Sequence, residues 1–64
     1  MVKINGEEYD TAGRTLAQFL ETTAYDLKRI AVERNGDIVP RAFYGQTVLR
    51  DGDAVEIVSF VGGG

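Results

Sequence analysis

Two residue types that carry much of protein chemistry at neutral pH are missing from this chain. It contains no cysteine and no histidine. That removes any thiol nucleophile, disulfide framework or thiolate metal site. It also removes the commonest general base and the commonest metal ligand. No metal site is expected. Acids that could act in their place, such as Asp51 and Asp53, flank Gly52 in a run that reads as a turn, where Asp is favoured for backbone reasons. Lys3 and Lys28 read as solvated charges rather than ligation sites. What is left is the terminal carboxylate, reached through Gly62, Gly63 and Gly64. These glycines keep maximal backbone freedom and have nothing to pack. Such a run fits a frayed terminus. It fits as well a tail that threads a narrow channel and delivers its carboxylate to a partner. A terminal carboxylate, with a reference pKa of about 3.3–3.7, is ionised at neutral pH and is a poor electrophile. A partner would first convert it to a mixed anhydride, most readily with ATP, and sulfur could then displace the nucleotide to leave a thiocarboxylate. Without a thiol of its own, the chain can carry sulfur only at that end or in a covalent adduct with a partner.

The elements that would position such a tail must come from a short chain. Its 64 residues allow one domain, expected over residues 1–61 with a flexible glycine tail at 62–64. A chain of this size buries only about 60% of its unfolded surface, so one core must be built from the 44% hydrophobic residues. Little interior is left for a pocket. Ten acidic and seven basic residues give a formal charge of -3, and the basic residues are scattered apart from Lys28-Arg29. Nucleic-acid binding needs clustered positive charge and is not expected. A mildly acidic surface is mostly a solubility feature, and it could also favour a basic docking face on a partner. No apolar run follows Met1, so neither a signal peptide nor a membrane span is expected. A cytoplasmic setting is consistent with the absence of cysteine.

Val2 to Asn5 alternates apolar and polar residues as a strand does. Asn5-Gly6 is a strong hairpin turn signal, and Glu8 to Thr11 can return as a second strand. Thr15 and Gln18 have the spacing of a capping box. Leu16, Phe19 and Leu20 then form one apolar stripe, so a helix is expected from Thr15, fading near Thr22 to Tyr25. Ile30 to Arg34 reads as a third strand. Asn35-Gly36 is a second hairpin signal, followed by a short strand at Asp37 to Val39. Pro40 suits an edge or an end, and Phe43-Tyr44-Gly45 an irregular turn. Val48-Leu49 suits a brief pairing. Asp51-Gly52-Asp53 is a turn before the longest strand candidate, Ala54 to Val61. A helix packed across one face of a small mixed sheet buries these apolar faces economically. The expected fold is therefore α+β: a β-grasp with a mixed four- to five-stranded sheet and one main helix on one face. The parallel, central pairing of the first and last strands comes from that fold analogy, not from periodicity.

The last strand has two apolar faces. Val55, Ile57 and Val61 share one, and Ala54, Glu56, Val58 and Phe60 share the other. If the first set faces the helix, Val58 and Phe60 face solvent or a partner. Leaving such a side chain exposed forgoes roughly 1.5–3 kcal/mol of burial. An apolar patch just before a glycine tail suits a docking surface; the alternatives are that a loop covers Phe60, or that these are the lone exposed apolar residues ordinary on any surface.

Two runs in the chain resemble signatures of the thiamine-biosynthesis sulfur carriers, the ThiS family. Ala31-Val32-Glu33-Arg34-Asn35-Gly36-Asp37-Ile38-Val39-Pro40-Arg41 is similar to their central signature. Leu49-Arg50-Asp51-Gly52-Asp53-Ala54-Val55-Glu56-Ile57-Val58, with Phe60-Val61-Gly62-Gly63-Gly64, is similar to their C-terminal one. With the Asn5-Gly6 hairpin and the following helix, the likeness covers essentially the whole chain. It departs from many relatives in having Phe43-Tyr44 where they carry a tryptophan after the Pro-Arg turn, a swap of one aromatic for another.

The resemblance implies a carrier, not an enzyme. An E1-like adenylyltransferase of the ThiF type would activate Gly64 with ATP. A sulfur-transfer enzyme and its sulfur donor would convert it to the thiocarboxylate, and a ThiG-type thiazole synthase would take the sulfur. Gly62 and Gly63 would give the tail clearance, and Val58 and Phe60 would dock. The chain itself would bind no cofactor. Two alternatives keep the same tail: the small sulfur-carrying subunit of molybdopterin synthase, and a ubiquitin-like protein modifier. A plain interaction module without chemistry is a third.

Overall fold

The computed structural model describes residues 1–60. Five strands and one α-helix follow in the order β1 (Val2–Ile4), β2 (Glu7–Tyr9), α1 (Leu16–Glu21), β3 (Ile30–Arg34), β4 (Asp37–Val39) and β5 (Ala54–Ser59). Short 3-10 helices occupy Leu27–Arg29 and Arg41–Phe43. The first has no counterpart in the strand-and-helix patterning of the sequence. It is nucleated locally, where the Asp26 side chain accepts from the Lys28 N–H. The second shortens the expected irregular turn and starts directly after Pro40, which has a fixed φ and no N–H to lose.

Both Asn-Gly pairs form the hairpins their types predict. Asn5 and Asn35 have φ of 51° and 53°, and Gly6 and Gly36 follow at 84° and 89°. Positive φ at both central residues is the type I′ geometry, whose twist matches that of the flanking strands. The capping box also forms: the Gln18 N–H donates to Thr15 Oγ1 at 3.1 Å and the Thr15 N–H donates to Gln18 Oε1 at 2.9 Å. The helix ends at Glu21, earlier than its apolar stripe requires. Thr22 and Thr23 turn their hydroxyls back onto the carbonyls of Phe19 and Leu20, a competing bond that Thr side chains make readily.

The sheet order is β2-β1-β5-β3-β4, with β5 parallel to β1 and every other pairing antiparallel. This is the β-grasp arrangement, with the last strand at its centre. Val2, Ile4, Val32, Val55 and Ile57 line the covered side of the sheet, and Leu16, Phe19 and Leu20 of the helix pack against them. Tyr44 and Leu49, from the connection before β5, close the core. Val48 makes an isolated bridge to Thr15 and ties that connection to the helix start. Of the aromatic pair, Tyr44 is buried and Phe43 exposed, so Tyr44 fills the core.

Candidate functional site

β5 begins at a polar latch. Asp53 is only 7% exposed. Its Oδ2 accepts from Arg34 Nε at 2.8 Å and from the Arg50 N–H at 2.9 Å, and its Oδ1 accepts from Asn35 Nδ2 at 3.0 Å. Desolvation pushes this carboxyl up, but the hydrogen bonds from Asn35, Arg34 and Arg50, with the Arg34 charge, outweigh it and hold the pKa below the ordinary value. Asp53 is thus structural rather than an acid or base. Asn35 completes the latch, because the Ala54 N–H donates to its Oδ1 at 2.9 Å and its own N–H donates to the Ala54 carbonyl at 2.7 Å.

Further along, the two Asn-Gly turns flank β5. β1 leaves the sheet after Ile4, and the Asn5 side chain takes over the ladder. The Ile57 N–H donates to Asn5 Oδ1 at 2.7 Å, and Asn5 Nδ2 donates to the Ile57 carbonyl at 3.2 Å. The same Nδ2 lies 3.3 Å from the Tyr25 hydroxyl. On the other edge β3 pairs with β5 as far as Ser59, and the Phe60 N–H donates to the Arg29 carbonyl at 2.6 Å. The strand is therefore held on one side to Ile57 and on the other to Phe60.

The side chains separate as the alternation predicts. Val55 and Ile57 are buried toward the helix, whereas Val58 is 54% and Phe60 57% exposed. Among the described residues no loop covers Phe60. Across the open side of the sheet, Ala31 stands opposite Val58, and the exposed Ile38 of β4 opposite Glu33. The two expected docking residues thus stand exposed at and just beyond the end of β5. β5 ends at Ser59, so Val61 does not belong to its described part. Gly62, Gly63 and Gly64, the expected tail and modification site, lie outside the described residues.

Among the described residues no group of three or more acidic, histidine or cysteine side chains is placed to hold a metal ion. No helix among them is long and apolar enough to cross a membrane. Lys3 and Lys28 are exposed and make no ion pair among the described residues. What sequence reasoning missed is the use of side chains as backbone substitutes. The Asn-Gly signals identified turns, but only the placed strands show that Asn5 and Asn35 also bond to β5.

The family model described as the ThiS family matches residues 2–64. The chain is 43% identical over 68 residues to the sulfur carrier protein ThiS of Thermus thermophilus, with the whole of both chains covered. It is 47% identical over 62 residues to a thiazole synthase of Paramagnetospirillum magneticum, in a match covering 95% of this chain and 19% of that one. A thiazole synthase of Magnetococcus marinus is 41% identical over 64 residues, with 98% of this chain and 20% of that one covered. The chain therefore spans about a fifth of the length of these two relatives. Among solved structures, the crystal structure of ThiS from Geobacter metallireducens is similar with a TM-score of 0.78 at 31% identity, covering 98% of this chain and 97% of that chain.

Proposed function

This chain belongs to the ThiS family, and from that premise we propose that it is a sulfur carrier of thiamine biosynthesis that works at its terminal carboxylate. An E1-like adenylyltransferase activates Gly64: a carboxylate oxygen attacks the α-phosphate of ATP and pyrophosphate leaves. A sulfur nucleophile supplied by a sulfur-transfer enzyme then attacks the acyl carbon. AMP departs; where the donor is a persulfide this leaves an acyl disulfide, and a second thiol of the sulfur-transfer system attacks the donor sulfur, so that the thiocarboxylate leaves and the two donor thiols become a disulfide. Thiazole synthase accepts that sulfur during ring formation. The carrier is consumed and reloaded rather than acting as a catalyst, binds no cofactor itself, and works in the cytoplasm.

The observation that carries this reading is the placement of β5. It is clamped along both edges and presents Val58 and Phe60 to solvent just before the glycine run. A fixed strand ending in residues without side chains can present a carboxylate to a narrow site, while the apolar face sets the docking geometry. Relatives that carry this domain within a protein named thiazole synthase favour this reading over a molybdopterin synthase subunit or a protein modifier.

The test is a reconstituted thiazole-forming reaction supplied with thiocarboxylated chain as its only sulfur source. Product should form in proportion to the chain added. A chain cut after Gly62 should support none. Val58→Ser with Phe60→Ser should raise the carrier concentration needed for half-maximal rate by about tenfold, in keeping with loss of central apolar contacts. Equal product formation from the cut chain would overturn the reading.

A further inference from the structure

The open side of the sheet carries a charge arrangement that the fold does not need. Glu33 of β3 and Glu56 of β5 are direct cross-strand partners, and the strand alternation places both on the side away from the helix, beside Val58 and Ile38. Side chains so paired have Cβ atoms about 4.5–5.5 Å apart, and like charges there are destabilising. Neither glutamate makes an ion pair among the described residues. The nearby cations make no direct ion pair with them. Lys3 stands opposite Ala54, one step along the sheet and outside ion-pair distance. Arg29, near Phe60, lies 3.6 Å from Asp26 instead. Two carboxylates without a direct ion pair among the described residues thus stand between the exposed apolar side chains Ile38 and Val58, next to the residues proposed to dock.

We infer that Glu33 and Glu56 form a cation-recognition point of the docking face, receiving an arginine or lysine side chain from thiazole synthase as Val58 and Phe60 pack against apolar surface around it. This rests on the carrier reading above and adds to it the polar contact that fixes register. A guanidinium can bond to two carboxylates at once through its five N–H donors, and it would relieve the repulsion that the isolated chain retains. The alternative occupant, a second copy of this chain, is disfavoured by charge. A two-fold pairing on this face would bring four carboxylates together, on a chain already at -3. The chosen partner follows from the relatives in which this domain is about a fifth of a thiazole synthase, an arrangement that raises the effective concentration of one part for the other.

The arrangement predicts opposite signs for stability and binding. Glu33→Gln with Glu56→Gln should leave the melting temperature unchanged or raise it, since a like-charge pair is removed. The same variant should bind purified stand-alone thiazole synthase about tenfold or more weakly by calorimetry, with a shallower loss of affinity between low and high salt. Glu56→Lys should weaken binding further. Affinity of the double variant within about twofold of wild type, at an unchanged salt dependence, would overturn this inference alone. If the wild-type chain does not bind thiazole synthase, the carrier reading falls and this one with it. Self-association of wild type that is abolished by the double variant would identify the face as a homodimer contact and overturn the assignment.

Discussion

Asp53 shows how one residue type in one turn can carry either chemistry or architecture. The turn Asp51-Gly52-Asp53 offers two carboxylates, and the structure separates them. Asp51 is exposed and pairs with the amino terminus of Met1. Asp53 is enclosed by donors from Arg34, Asn35 and Arg50. Because the folded state lowers the pKa of Asp53, its contribution to stability is fully present above the unfolded value of about 3.9. It is lost as pH falls through the lower folded value. Asp53→Asn should therefore cost about 1.5–3 kcal/mol at pH 7, the scale of hydrogen bonds to a charged group. The gap between variant and wild type should narrow as urea titrations move from pH 7 toward strong acid. A gap that holds constant across that range would remove the ionic part of the latch from the account.

At the scale of elements, β5 is held by side chains as well as by its neighbouring strands. β5 needs partners on both edges, but β1 is only three residues long and leaves after Ile4. Asn5 extends that edge with its side chain at the point where its backbone turns away. Asn5→Gly separates the two roles, since glycine keeps the positive φ at little cost but leaves the Ile57 N–H and carbonyl without their partner. We expect a loss of about 1–3 kcal/mol and faster amide exchange at Ile57, with the hairpin intact. Exchange at Ile57 as slow as in wild type would show that the side chain is not what holds the strand. Much of this element order was legible beforehand, because Asn5-Gly6, Asn35-Gly36 and the Thr15–Gln18 cap are local signals with local causes. The apolar alternation of β5 likewise separated Ile57 from Val58 and Phe60. The roles of Asn5 and Asp53 were not legible, since their partners lie 52 and 19 residues away in Ile57 and Arg34. Such contacts exist only once the sheet has closed. The pairing of Glu33 with Glu56 is hidden for the same reason: it depends on the β3–β5 register.

The whole molecule is built to present rather than to enclose. A chain of 64 residues has a net stability of only about 3–10 kcal/mol. Among the described residues, eleven buried hydrophobic side chains form one core, and the proposed function uses a surface and the terminal carboxylate instead of an interior site. The covered side of the sheet holds the core, and on the proposed reading the open side is the one that recognises the partner. The central claim is that Gly64 carries the sulfur. It is tested most directly by the intact mass of the chain after incubation with the adenylating enzyme, ATP and a sulfur source. The account predicts exchange of one oxygen for one sulfur, localised to the terminal residue and absent from a chain lacking Gly64. An unchanged mass in the presence of a demonstrably active adenylating enzyme would contradict it.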